Sequence, residues 1–115
     1  IVIVDGDTVI VDNTAATWSG DSATCWGNYN NGDVWLKFDF VQTGSITGVE
    51  IVTQAGSSND SHIALYTVSG CPAGPLVMEQ LGCSEDIGGG NWMSYIAPIY
   101  LETGTYYIQC ATWTN

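Results

Sequence analysis

The sequence predicts an all-β chain folded as one antiparallel β-sandwich, and three observations carry that expectation. Short runs alternate apolar and polar residues, the period of a strand with one buried face. Six or seven such runs recur at roughly ten-residue spacing, as in jelly-roll and immunoglobulin-like sandwiches. The composition also favours strands: 12 Thr, 9 Ser, 7 Asn and 14 Gly stand beside 5 Trp and 6 Tyr in 115 residues. β-Branched and aromatic residues suit a pleated surface, and Gly, Ser and Asn disfavour helices.

The N-terminal segment is the exception to alternation. Ile1, Val2, Ile3 and Val4, then Val9, Ile10 and Val11, form two continuous apolar runs around Asp5-Gly6-Asp7. Asp-Gly permits a type I′ hairpin between them. A continuous run otherwise implies cover on both faces, and an exposed apolar strand is a template for pairing with another chain. Residues 1–12 therefore read as an extension, a donor strand, and residues 13–115 as the sandwich. Within it, residues 34–40 place Val34, Leu36, Phe38 and Phe40 on one face and Trp35, Lys37 and Asp39 on the other. Residues 45–54 follow, with Val49 and Ile51 on one face. Residues 61–68 carry Ile63 and Leu65 on one side and Ala64 and Tyr66 on the other. Residues 76–81, 93–101 and 105–112 complete the set, with irregular backbone at Gly88-Gly89-Gly90.

Charge narrows the function. Lys37 is the only basic side chain against twelve Asp and Glu, a net charge of −11. Nucleic acid and anionic membrane surfaces need Lys or Arg to neutralise phosphate, so both are excluded as partners. No run approaches the ~20 apolar residues of a membrane span. Four cysteines, Cys25, Cys71, Cys83 and Cys110, lack C-x-x-C spacing, and His62 is the lone histidine, so disulfides are favoured over metal. The expected pairs are Cys71–Cys83, which flank one loop-and-strand segment, and Cys25–Cys110. Two disulfides place the protein in an oxidising, extracellular compartment. The start at Ile1, without Met or a basic leader, reads as a secreted mature form.

From about residue 13 the chain resembles the bacterial pre-peptidase C-terminal (PPC) type of domain. The resemblance rests on Cys25-Trp26-Gly27-Asn28-Tyr29-Asn30-Asn31-Gly32-Asp33-Val34-Trp35-Leu36-Lys37-Phe38, then Thr43-Gly44-Ser45, Thr53-Gln54-Ala55-Gly56 and Ile63-Ala64-Leu65-Tyr66. The segment from Cys71 to Cys83 with Ser84-Glu85-Asp86, and Gly104-Thr105-Tyr106-Tyr107-Ile108, continue it. It covers about four-fifths of the chain and implies a secreted, jelly-roll-type sandwich without catalytic residues. Members usually carry one more strand after the Gly104–Ile108 motif, whereas this sequence has an added apolar segment at its other end. A sandwich short of one strand and a spare apolar strand are complementary. Together they predict head-to-tail association into filaments, with residues 1–11 of one subunit entering the next.

Candidate sites remain few. Asp60-Ser61-His62 is no catalytic triad, because neighbours in a strand point to opposite faces, and His62 is expected as a half-exposed strand residue. Disulfide-bonded cysteines are not nucleophiles. Glu85 and Asp86 lie in a glycine-rich loop with no glycosidase-like scaffold. A non-enzyme is expected, with no cofactor except calcium, for which Asp60, Glu85 and Asp86 are the candidate ligands. Trp18, Trp26, Tyr29, Trp92 and Trp113, in or near loops, suit interfaces or core first and sugar stacking second. Asn59-Asp60-Ser61 is the one N-x-[ST] sequon and a candidate glycan attachment site. The expected function is a structural subunit of a secreted filament, a homo-oligomer. The alternative is a carbohydrate- or matrix-binding module of a larger secreted enzyme or adhesin.

Overall fold

A computed structural model describes residues 8–27, 31–69 and 77–113. Among them every regular element is a strand and none is a helix: β1 (Asp33–Phe40), β2 (Val49–Val52), β3 (Ser61–Ser69), β4 (Val77–Ser84), β5 (Tyr95–Ile99) and β6 (Gly104–Thr112). Among the described residues no helix is long and apolar enough to cross a membrane. A four-stranded sheet runs β1-β6-β3-β4 and a two-stranded sheet pairs β2 with β5, all antiparallel.

Alternation decides which side of the large sheet each residue faces. Phe38, Phe40, Ile63, Leu65, Tyr106 and Ile108 point inward and meet Ile96 of β5 and Leu101, with Val49, Ile51 and Ile99 packed at the margin. That is the core shared by the two sheets. Gly82 of β4 shows how closely they approach. A Cβ there would stand 2.9 Å from Ile99 Cδ1 and 3.0 Å from Ile96 Cγ2. Gly82 pairs with Leu65, so β4 continues past it to Ser84, beyond the expected end at residue 81. Glycine here answers a packing demand and does not break the strand.

The opposite face of the same sheet is also covered. Ala64, Tyr66 and Ala111 pack beneath Ala23 and Trp26, joined by Trp18, Trp35, Met78 and Cys83. The cover is the irregular chain leading to β1. It is tied down at Thr24, whose amide donates to Gln80 Oε1 at 2.9 Å while Gln80 Nε2 donates to its hydroxyl at 2.7 Å.

This second layer explains the cysteines. The structure pairs Cys25 with Cys83, replacing both expected pairs. Cys83 faces the covered outer side of β4, where Cys25 lies. Cys110 faces the other way, against the inner core, because it alternates with Gln109 and Ala111. Cys25 on the outer layer cannot reach it through the sheet. Cys110 is a free thiol, and burial pushes its pKa up to about 12. Cys71 lies outside the described residues, as do Ile1, Val2, Ile3 and Val4.

Val9, Ile10 and Val11 belong to no strand, and Ile10 is 94 % exposed. Asn13 joins this end of the described chain to the large sheet: its Nδ2 donates to Gly32 O and to Thr112 Oγ1, both at 3.1 Å.

Candidate functional site

One end of the large sheet, where β3 begins and β6 finishes, opens into a pocket of about 340 Å³ lined by Asp60, His62, Glu85, Asp86, Trp92 and Trp113. The register places its parts. Ser61 pairs with Thr112 and His62 with Ala111, so Asp60 and Trp113 flank the last rung of the ladder.

The β4–β5 connection supplies the opposite wall, and a small hydroxyl cluster holds it. Ser94, fully buried, bonds through Oγ to the carbonyls of Ser61 and of Glu85, the latter at 2.8 Å. Its amide donates to Thr53 Oγ1 at 2.8 Å, and Thr53 Oγ1 lies 2.6 Å from Ser61 Oγ. Ser61 N donates to Trp92 O at 3.0 Å. Between these anchors the loop reverses at Gly88, Gly89 and Gly90, all with positive φ, where a side chain would strain the backbone. Reciprocal bonds between Gly88 and Asn91 close the turn. Glu85 and Asp86 enter it, Trp92 leaves it, and all three line the pocket with His62.

His62 forms the floor. It is 1 % exposed, in contrast to the half-exposed position expected of it. Trp26 meets it edge-on with ring centroids 5.7 Å apart, Trp113 lies at 6.5 Å, and Glu85 Oε1 is 3.7 Å from Nε2. The signal was present in the sequence: residues 63–66 are apolar on both faces, which implies cover on both. Burial pushes the His62 pKa below its ordinary value, with Asp60, Glu85 and Asp86 pulling the other way. Asp60 is pushed up, chiefly by desolvation, opposed by His62 and reinforced by Asp86 and Glu85.

These shifts give opposite pH dependences. A histidine held neutral contributes stability that is whole above the unfolded value of ~6.5 and is lost as pH falls through the lowered folded value. Asp60, raised, favours the folded state at low pH and disfavours it as pH rises past 3.8. Between pH 7.5 and 5.5 the histidine sets the sign. The urea midpoint is therefore expected to fall on acidification over that window, and His62→Gln to flatten the dependence. A wild-type midpoint that rises instead would contradict the neutral, buried histidine.

The pocket joins residues the sequence singled out separately. The calcium candidates Asp60, Glu85 and Asp86 line it together with two of the tryptophans considered for sugar stacking. Among the described residues, however, no group of three His, Cys, Asp or Glu side chains could hold a metal ion. Trp26 is buried and Trp18 packs with it over the sheet, so these two act as cover. Tyr29 lies outside the described residues. Ser61 and His62 point apart, the hydroxyl to Thr53 and Ser94 and the imidazole to Glu85. Asn59 is exposed in the β2–β3 loop beside Asp60.

Comparison of the chain with family models, with curated proteins and with solved structures found no match.

Proposed function

We propose that the protein is a structural subunit of a secreted extracellular filament, built head to tail by strand donation between jelly-roll-type sandwiches. The observation that carries this reading is the exposed Val9, Ile10 and Val11 stretch, which adds no strand to either sheet of its own subunit. A receptor for it is at hand. Among the described residues each strand of the β2–β5 sheet has a hydrogen-bonded neighbour on one side only. Ile46, Val49, Ile51 and Ile99 beside it are only partly buried. An incoming strand would extend the ladder and cover these side chains, and each Val or Ile buried contributes ~1.5–3 kcal/mol. The PPC resemblance and the disulfide accord with an extracellular home.

Deletion of residues 1–4 tests it. Wild-type protein is expected to form polymers visible by electron microscopy, and the truncated chain a folded monomer by light scattering. Wild-type protein that stays monomeric at high concentration overturns the reading. A second reading, a carbohydrate- or matrix-binding module, is favoured by the pocket with its two half-exposed tryptophans.

A further inference from the structure

We propose that the pocket at the β3–β6 end binds an organic cation: a protonated alkylamine whose chain lies against Trp92 and Trp113 and whose ammonium is held by the summed field of the Asp60, Glu85 and Asp86 carboxylates. The proposal is independent of polymer formation. It starts from shape, since 340 Å³ bounded by two indoles, 52 % and 50 % exposed, offers a small ligand flat apolar walls.

Charge then selects the ligand. Three carboxylates line the pocket, and the chain's one basic side chain, Lys37, is exposed in β1 outside it. Buried His62, held neutral, adds no compensating positive charge at neutral pH. Indole faces attract ammonium groups through their quadrupole, so walls and rim favour the same ligand sign.

The competing ligands fit less well. A bare divalent cation needs six or more convergent oxygens, and the acids here do not group closely enough to hold a metal. A neutral sugar could stack on the indoles. Its hydroxyls could donate to the carboxylates, but a neutral ligand would leave their charge uncompensated. An alkylammonium answers both the apolar walls and the charge.

The probes are n-butylammonium, butan-1-ol as its neutral counterpart, methyl β-glucoside and calcium chloride, titrated into the intact chain. The readout is the set of indole N–H signals in heteronuclear NMR spectra. Butylammonium is expected to shift the Trp92 and Trp113 signals saturably, at least tenfold more tightly than butan-1-ol does. Trp92→Ala should weaken binding roughly three- to fivefold. Asp86→Asn should weaken it by about fivefold at low salt. Unchanged Trp26 signals in these variants establish that the fold is intact. The assignment is overturned if butylammonium gives no saturable shift or butan-1-ol binds equally well. It is also overturned if neither variant alters affinity, or if methyl β-glucoside or calcium binds more tightly than the amine.

Discussion

Replacing Cys25 with serine is expected to lower the free energy of unfolding by about 4 kcal/mol, the loop-closure value for a crosslink spanning 58 residues. The bond fastens the cover of the outer sheet face to β4. Without it, that layer is held by the Thr24–Gln80, Ser19–Asp33, Gln109–Asp21 and Trp26–Ile63 hydrogen bonds and the packing of Ala23 and Trp26. The loss should therefore show first as faster amide exchange in residues 18–27, ahead of global unfolding. Peptide mapping gives an independent check, since Cys25 and Cys83 should appear in one linked fragment. Cys110, with a thiol pKa near 12, should resist alkylation until the chain unfolds. A Cys25→Ser protein with unchanged urea midpoint would remove the crosslink from the account of stability.

The contrast between the expected and observed pairing shows what alternation can and cannot deliver. Strand faces were legible because each is a property of consecutive residues. Phe38, Phe40, Ile63 and Leu65 lie in the core, as their spacing requires. The second layer was not legible. Residues 13–27 form no strand, so no period marks them as cover, and the side on which Cys25 would lie could not be read locally. The pocket failed to emerge for a related reason. Asp60, Glu85, Asp86, Trp92 and Trp113 come from the β2–β3 and β4–β5 connections and the segment after β6, and the Ser61–Ser94 hydroxyl cluster and the β3–β6 register bring them together. Ser61 and Ser94 look like ordinary surface serines until their burial is known. His62 is the intermediate case, since the doubly apolar run after it implied a covered outer face.

The same outer layer hides a polar knot, and Asp33→Ala is expected to cost about 3 kcal/mol or more. Asp33 is 6 % exposed and Gln109 is fully buried. The carboxylate accepts from Ser19 N at 2.7 Å, Ser19 Oγ at 2.6 Å, Trp35 Nε1 at 3.0 Å and Gln109 Nε2 at 2.7 Å. Gln109 Nε2 also donates to Asp21 O at 2.9 Å, and its Oε1 accepts from Tyr66 OH at 3.1 Å. Burial, with Asp21 and Asp33 nearby, raises the Tyr66 pKa, so the phenol remains a donor. Removing Asp33 takes the acceptor from four donors at once, among them the buried Gln109 Nε2 and the partly buried Trp35 Nε1, and an orphaned buried donor costs more than its bond contributed. Asp33→Asn separates charge from geometry. It keeps the shape but presents an amide N–H₂ where donors already converge, so it should recover only part of the loss. Gln109→Leu on the Asp33→Ala background supplies the sharper test, because it removes one stranded donor. The double variant should lose less than the sum of the single losses, by 0.5–3 kcal/mol, the usual range for groups in one network. Strict additivity in urea unfolding would mean that the two side chains act separately, and that the cover over β1 and β6 rests on apolar contact alone.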